Sequence, residues 1–189
     1  MSDMLEREVK LRFRDASEAR AAVVATGAAP VAPRRFQDDA LFDTEDEALY
    51  SRRCALRVRR DGARSVLTFK GPPHPGPMKL REEIETGVAD GAKLEQVLDR
   101  LGFRVRFRYQ KYREEFAGDG VVIAVDETPI GTFVEIEGTE PGIRETATAL
   151  GRTTADYILD SYYVLFMKYR EALGFRGSNM VFDEPDRIT

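Results

Sequence analysis

The stretch Leu5-Glu6-Arg7-Glu8-Val9-Lys10-Leu11-Arg12-Phe13 alternates between apolar and charged residues with a period of two. In a β-strand, this alternation places the apolar side chains on one face and the charged side chains on the other. Glu6, Glu8 and Lys10 would then form a row of two carboxylates and one ammonium group, and Arg7 alone breaks the apolar parity. The stretch predicts a strand whose charged face points either to bulk water or into an enclosed site.

Seven further segments carry strand signals, and most of them are separated by short turns. The clearest pair is a hairpin, in which Ala55–Arg60 and Arg64–Lys70 flank the turn Asp61-Gly62. In the segment 103–116, the apolar parity is continued by Lys111 and Arg113, which predicts a bulge or a change of neighbouring strand. The other predicted strands cover residues 35–42, 79–86, 121–126 and 132–138.

Helical segments are predicted between some of these strands and at the C-terminal end. Asp15 is a typical N-cap for the first helix, and glycines follow the ends of the helices. The predicted helices cover residues 17–26, 90–101, 140–150 and 161–173, with a short turn at 154–159. Residues 28–33 break the strand pattern, residues 45–51 predict a loop or single turn, and Gly71–Pro77 predicts an exposed irregular loop. This loop contains His74, which lacks a second ligand motif and is not expected to bind metal or act in catalysis.

The charges on the predicted strands are grouped by sign. An open sheet with helices on one side would leave these charges in water, and this alternative needs no special function. Eight antiparallel strands are also enough to close into a barrel, which would turn the charged faces inward and the apolar faces outward under the helices. The carboxylates fall in the pairs Glu6/Glu8, Glu83/Glu85 and Glu135/Glu137, and the cations at Arg57/Arg59, Lys70, Arg81 and Lys111/Arg113. This grouping favours an α+β protein built on an eight-stranded antiparallel barrel.

A charged barrel interior requires partners, because unpaired buried charges are costly. Carboxylate oxygens suit hard cations such as Mg²⁺ or Mn²⁺, whereas arginine and lysine side chains bind phosphate groups. A metal ion that bridges carboxylates to phosphates satisfies both halves of such an interior. The residues therefore predict a metal-dependent polyphosphate site.

Length and composition limit the class of protein. The 189 residues carry 33 acidic and 29 basic side chains, so the net charge of -4 gives no reason to expect a nucleic-acid polymer as partner. No apolar run approaches the length of a membrane helix, and Cys54, the single cysteine, is expected to be a small packed residue. The sequence predicts a cytoplasmic protein without a membrane partner, with a homodimer as an open alternative. One domain is expected over residues 1–174, followed by a polar tail at 175–189.

The spacing Glu6-x-Glu8-x-Lys10 resembles the ExExK signature of the CYTH superfamily, the triphosphate tunnel metalloenzymes. This group includes thiamine triphosphatases, inorganic triphosphatases and class IV adenylate cyclases. The signature is short, and its companions make the resemblance specific over residues 4–170. The companions are Phe42-Asp43-Thr44, Leu56-Arg57-Val58-Arg59, Leu67-Thr68-Phe69-Lys70-Gly71, Arg81 with Glu83 and Glu85, Lys111-x-Arg113, Asp126, Glu135-x-Glu137 and Ser161-Tyr162.

The resemblance implies a role for each matching position. The implied metal ligands are Glu6, Glu8, Glu135 and Glu137, assisted by Asp126. The implied triphosphate-binding residues are Lys10, Arg57, Arg59, Lys70, Arg81, Lys111 and Arg113, and Glu83 and Glu85 would line the tunnel. Glu6, Glu8, Lys10 and Lys70 would be the catalytic residues, and Lys168 a weaker candidate for a lid contact.

The expected activity is hydrolysis of a small inorganic or organic triphosphate with Mg²⁺ or Mn²⁺. Two alternatives remain open at the level of the sequence. A class IV adenylate cyclase would use the same grip on the triphosphate but would release cyclic AMP and pyrophosphate. A polyphosphate-binding module would hold the anion without turnover.

Overall fold

The computed structural model describes residues 5–174 and 177–182, and eight antiparallel strands close into one barrel. Around the barrel, the strand order is β1-β5-β4-β3-β2-β6-β7-β8, and β8 pairs with β1. The predicted α+β barrel is thus confirmed. The strands are β1 (Leu5–Phe13), β2 (Ala29–Asp43), β3 (Ala55–Asp61), β4 (Arg64–Lys70), β5 (Lys79–Val88), β6 (Arg104–Gly118), β7 (Val121–Thr128) and β8 (Gly131–Gly138).

Five α-helices and one 3₁₀ turn accompany the strands of the described chain. The side chain of Asp15 accepts a hydrogen bond from the Glu18 amide at 2.8 Å, so the predicted N-cap is confirmed. The last helix ends at Tyr169 instead of Leu173, and residues 170–174 continue as turns. The helices are α1 (Ala16–Ala25), α2 (Ala48–Ser51), α3 (Gly91–Arg100), α4 (Glu140–Ala149) and α5 (Tyr162–Tyr169), and the 3₁₀ turn is Thr154–Asp156. None of the described helices is long and apolar enough to span a membrane.

The apolar faces of the strands point outward, as predicted. Val9 and Leu11 of β1 are fully buried and pack in one cluster with Val23 of α1 and Ile143 of α4. Burying each such side chain stabilises the fold by about 1.5–3 kcal/mol. Because the parity of β1 is strict at these positions, the same packing turns Glu6, Glu8 and Lys10 into the barrel.

Strand β2 begins earlier than the sequence pattern predicts. The segment 28–33 was expected to break the strand, yet pairing with β6 already starts at Ala29. The register shifts twice before Arg35, and β3 joins β2 only from Gln37 onward. Proline has no N–H to donate, so a proline-containing segment fits a strand where it has one neighbour instead of two.

Strand β6 contains the irregularity that its mixed parity predicted. The register between β2 and β6 shifts between Leu41 and Phe42, which pair with Phe107 and Val105. Phe107 and Tyr109 are consequently buried on the same side as Lys111, whereas Val105 is exposed. Aromatic and charged residues therefore share the inner face of this strand.

Helix α5 closes part of one barrel mouth. Tyr162, Leu165 and Phe166 pack against inward-facing aromatic residues of the barrel, including Phe107 and Phe133. The sequence predicted an apolar stripe on this helix without locating its partner. Its partner is the barrel interior.

The strap, residues 177–182, completes this closure. Strand β7 pairs with β6 only from Tyr112 onward. Within the described chain, the part of β6 that precedes Tyr112 therefore has no strand partner on that edge. Met180 occupies that edge: its amide donates to the Arg108 carbonyl and its carbonyl accepts from the Gln110 amide, both at 2.9 Å. Met180 is fully buried, so it fixes this segment of the expected polar tail against the barrel. Residues 175–176 and 183–189 of the predicted tail lie outside the described chain.

Substitution of Met180 by alanine should lower the free energy of unfolding by about 2 kcal/mol, because the buried side chain leaves a cavity beneath the strap. This corresponds to a loss of about 4–8 °C in Tm for a chain of this size. Thermal unfolding followed by circular dichroism measures it. Met167→Ala is the matched control, because Met167 is 41% exposed and its truncation should shift Tm little. Equal shifts in both variants would contradict the structural role of the strap.

Candidate functional site

The barrel encloses a tunnel-like cavity of about 990 Å³. Acidic and basic side chains line it in almost equal number, and most of them come from β1, β3, β4, β5, β6 and β8. The predicted row of Glu6, Glu8 and Lys10 faces this cavity. The charged faces of the strands thus meet one another instead of bulk water.

Carboxylates dominate one part of the wall. We define the carboxylate cluster as Glu6 and Glu8 of β1, Glu83 of β5 and Glu137 of β8. Pairing of Glu8 with Glu137 and of Glu6 with Arg81 brings these three strands side by side. Lys70 of β4 contacts two members, Glu6 at 3.1 Å and Glu83. Glu8 lies 3.0 Å from Lys10 and 2.5 Å from Lys79, so lysines surround the cluster.

Protons are shared within this cluster. Burial and the neighbouring Glu6 carboxylate raise the pKa of Glu137 to about 9, and the same two causes raise the pKa of Glu83 to about 7. Burial alone would raise the pKa of Glu6 as well, but hydrogen bonds with Glu83 and Glu137 and the charge of Lys70 lower it to about 2. At neutral pH, Glu6 is therefore ionised while Glu137 retains its proton.

The donor chemistry of the carboxylate cluster fits a hard divalent cation. Oxygen ligands from three strands converge, and oxygen atoms are the ligands that Mg²⁺ or Mn²⁺ prefers. No three acidic, histidine or cysteine side chains within residues 5–174 and 177–182 form a ready-made metal-binding group. The carboxylates would have to exchange lysine partners for the ion on binding.

Two buried lysines of the cavity wall are held by carboxylates. Lys10 lies 3.0 Å from Glu8 and 3.3 Å from Glu135, and these two carboxylates raise its pKa although burial opposes them. Lys111 lies 2.8 Å from Asp126, and burial together with the charge of Arg113 lowers the pKa of Lys111 to about 8. These ammonium groups are held by carboxylates that an anionic ligand can displace or share.

Arginines from two strands extend this cationic region. The Arg59 Nε donates to Asp39 at 2.8 Å, and the Arg57 Nε lies 3.6 Å from the same carboxylate oxygen. Arg57 also donates to the Thr68 hydroxyl at 3.0 Å. On β6, Arg113 binds both oxygens of Asp126 and also contacts Glu135. The guanidinium groups are thereby oriented toward the cavity before any ligand arrives.

Three residues of this site were missed by the sequence argument. Asp39 is fully buried and holds Arg57 and Arg59; its position opposite Arg59 in the β2–β3 pair was the available signal. Lys79 lies 2.5 Å from Glu8, and it shares the inward parity of Arg81 and Glu83. Tyr162 donates its hydroxyl to Asp126 at 2.7 Å; the family resemblance included Ser161-Tyr162 but gave Tyr162 no role in the site.

Some predicted site residues lie away from the centre of the cavity. Asp126 does not line the cavity, and its two carboxylate oxygens bind Lys111, Arg113 and Tyr162. These contacts do not favour the expected role of Asp126 in metal binding. Lys168 is exposed on α5, paired with Asp160 at 2.5 Å, and it does not line the cavity.

Other predictions fall at the cavity wall or its rim. Arg81 donates to the Gly71 carbonyl at 3.0 Å, and the half-exposed Glu85 accepts from the Thr68 hydroxyl at 3.1 Å. His74 is exposed, as predicted, but its loop forms part of the cavity mouth. Cys54 is a free, buried cysteine.

Known proteins share this sequence pattern and this fold. The sequence profile described as the CYTH domain matches residues 4–162. A protein of Methanocaldococcus jannaschii named "putative adenylate cyclase" is 29% identical over 143 residues, which cover 75% of this chain and 81% of that protein. The solved structure of the PH1819 protein from Pyrococcus horikoshii is 27% identical, with a TM-score of 0.72 over 87% of this chain and 99% of that chain.

A plant protein shares the fold at lower sequence identity. It is the "putative adenylyl cyclase HpAC1" from Hippeastrum, described as having a dominant triphosphatase activity. Its structure is 20% identical, with a TM-score of 0.62 over 87% of this chain and 95% of that chain. At this level of identity the likeness concerns the fold alone.

Proposed function

Because this chain belongs to the CYTH domain family, we propose that it hydrolyses a small triphosphate inside its tunnel with the help of a divalent metal ion. The observation that supports the proposal is the mixed charge of the cavity wall. Carboxylates, lysines and arginines line one continuous space, and the carboxylate cluster pairs directly with Lys10, Lys70 and Lys79. A metal ion that binds the carboxylates and a chain of phosphates that binds the cations are complementary to this wall.

The charge balance of the cavity favours a metal–triphosphate complex over the free anion. Acidic and basic lining residues nearly cancel, so a highly charged free polyanion would meet little net attraction. A divalent ion neutralises part of the phosphate charge and places the remainder near Arg57 and Arg59. The metal is therefore expected to bind together with the substrate.

The chain's own residues would divide the work as follows. Glu6, Glu8 and Glu137 would hold Mg²⁺ or Mn²⁺, which supplies charge neutralisation and activation of water when bound. Arg57, Arg59 and Arg113 would orient the phosphate groups through paired N–H donors, and Lys10 and Lys70 would stabilise charge on the departing phosphate. Asp39 acts through Arg57 and Arg59 as a positioning residue.

Adenylate cyclase activity is the second candidate. The M. jannaschii relative carries that name. The cavity mouth also includes Tyr50 and Tyr163, whose rings lie 5.9 Å apart and offer an aromatic surface to a base. Both reactions would use the same triphosphate-binding residues, so only the products distinguish the two activities.

A panel of tripolyphosphate, thiamine triphosphate and nucleoside triphosphates, assayed with Mg²⁺ or Mn²⁺, tests the proposal. Release of orthophosphate that EDTA abolishes is the expected result. Cyclic AMP with pyrophosphate from ATP would select the cyclase. Binding without any product would reduce the protein to a polyphosphate-binding module.

Metal binding should release protons and should strengthen with pH. In the folded protein, Glu83 and Glu137 have pKa values of about 7 and 9, whereas the same carboxyl groups have a pKa near 4.5 when unfolded. At a pH between these values, the folded protein keeps protons that the unfolded chain has lost. Above pH 4.5 the folded state therefore binds more protons, and its stability falls as pH rises. A metal ion that binds these carboxylates displaces their protons and should therefore offset the fall in stability at higher pH.

Calorimetric titration with Mg²⁺ at about pH 7.5, in two buffers of different ionisation enthalpy, measures the protons released per ion. In EDTA, Tm should fall between about pH 5.5 and 7.5, and the rise in Tm caused by Mg²⁺ should be larger at the upper pH. Binding of Mg²⁺ without proton release would remove the carboxylate cluster as the metal site.

A further inference from the structure

Arg53 adopts a backbone conformation that is unusual for its residue type. Its φ of 58° lies in the left-handed region, directly after α2. Its amide donates to the Tyr50 carbonyl and the Cys54 amide to the Leu49 carbonyl, both at 2.8 Å, so Arg53 ends the helix in the conformation that glycine normally supplies. The backbone alone would favour glycine or asparagine here, so the arginine side chain calls for another explanation.

The fold places Arg53 at the mouth of the tunnel. Ala55 at the start of β3 pairs with Lys70 at the end of β4. The segment before β3 therefore leaves the barrel beside the proline-rich loop 71–77. Arg53 and the His74 loop both line the cavity, while Lys70 lies just inside.

Arg53 differs from the other cations of the cavity in its partners. The interior lysines and arginines are engaged by carboxylates, as in the pairs Arg59–Asp39 and Lys111–Asp126. Arg106, also on the cavity wall, pairs with Glu47 at 2.6 Å, and Arg81 binds the Gly71 carbonyl. Within the described chain, the exposed Arg53 side chain has no ion pair and no hydrogen bond. Its guanidinium can bind an anion without first giving up a partner.

We propose that Arg53 forms a mouth subsite, which binds the outermost phosphate of a linear triphosphate as the chain lies in the tunnel. The planar guanidinium offers paired donors to phosphate oxygens, and its position ahead of Arg57 and Lys70 extends the cationic path outward. This inference rests on the proposed function. Since the contact lies away from the metal-binding carboxylates, it stabilises the bound ground state and the transition state alike.

Arg53→Asn tests the subsite, because asparagine tolerates the left-handed conformation while removing the guanidinium. KM for tripolyphosphate should rise about tenfold with kcat within about twofold, as expected for loss of a charge-assisted hydrogen bond. Tm without ligand should not fall. The ligand-induced rise in Tm with tripolyphosphate, measured in Mg²⁺, should shrink in parallel and provides a readout apart from turnover.

Arg52→Asn is the matched control. It removes the same charge at the neighbouring residue, whose side chain does not line the cavity. Arg53→Lys, which keeps the charge, should recover part of the affinity. The loss in Arg53→Asn should be larger for tripolyphosphate than for pyrophosphate, whose shorter chain does not reach the mouth.

Equal losses in Arg52→Asn and Arg53→Asn, or unchanged binding in Arg53→Asn, would overturn the mouth subsite. Both outcomes leave the proposed function intact as long as the wild-type protein hydrolyses a triphosphate. If the wild-type protein neither binds nor hydrolyses any member of the panel, the proposed function and the subsite both fall.

Discussion

Replacing Glu137 by glutamine should reduce metal-dependent turnover by about a hundredfold or more, while the fold remains as stable as in the wild-type protein. Loss of a partner behind a metal ligand already costs about 10–100-fold, so loss of a ligand should cost at least as much. Stability should persist because Glu137, with a pKa of about 9, is protonated at neutral pH. Glutamine has the shape and the neutral charge of that protonated acid. Activity against Mg²⁺ concentration and Tm in EDTA are the two measurements.

Glu82→Gln is the control for this variant, because Glu82 lies on β5 next to Glu83 and does not line the cavity. Its turnover should remain within about twofold of the wild-type value, because successive side chains of a strand point to opposite faces. Glu137→Gln should also release fewer protons on binding Mg²⁺. Full activity of Glu137→Gln would remove this side chain from the metal site and would leave Glu6, Glu8 and Glu135 as the remaining candidates.

The barrel was predictable from the sequence because most of its strands alternate between apolar and charged residues. In β1, a one-residue slip would turn Val9 and Leu11 from the outer core into the charged tunnel, so the register is strongly specified. The same rule identified the Arg57/Arg59 and Glu135/Glu137 rows, all of which line the cavity. Where one face is apolar and the other charged, the sequence determines which way the side chains point.

The parts that could not be predicted depend on contacts between distant segments. Residues 29–34 form a strand because β6 offers them an edge, which no local pattern reveals. Met180 is buried because β7 leaves part of β6 unpaired. Similarly, the parity of Asp39 indicated its face, but only the closed barrel shows that it holds two arginines. Local alternation reports orientation, whereas the choice of partner depends on the whole topology.

The role of Asp126 also depends on its partners from distant segments of the chain. Family resemblance implied that it assists metal binding, yet both of its oxygens bind cations or the Tyr162 hydroxyl. It holds Lys111 and Arg113, which line the cavity, in position from behind the cavity wall. Asp126 is therefore expected to act mainly through the charges that it neutralises.

Asp126→Ala should destabilise the protein by about 3–5 kcal/mol, because it leaves the ammonium of Lys111 buried without a carboxylate. Tm should fall by roughly 10 °C on the scale of about 2–4 °C per kcal/mol. Tyr162→Phe removes one hydrogen bond to the same carboxylate and should cost only about 1 kcal/mol. Asp38→Ala is the surface control: its partner Arg108 is partly exposed, so its loss should cost less than about 1 kcal/mol.

The pH dependence of this loss distinguishes an unpaired charge from a simple cavity. The pKa of Lys111 is already lowered to about 8 by burial and by Arg113, and removal of Asp126 should lower it further. A lowered lysine pKa means that the unfolded state binds more protons, so stability rises with pH. The deficit of Asp126→Ala should therefore be smaller at pH 9 than at pH 7, and the double variant Asp126→Ala/Lys111→Met should recover part of it. A deficit that is independent of pH and of Lys111 would mean that Asp126 stabilises the barrel by packing instead of charge.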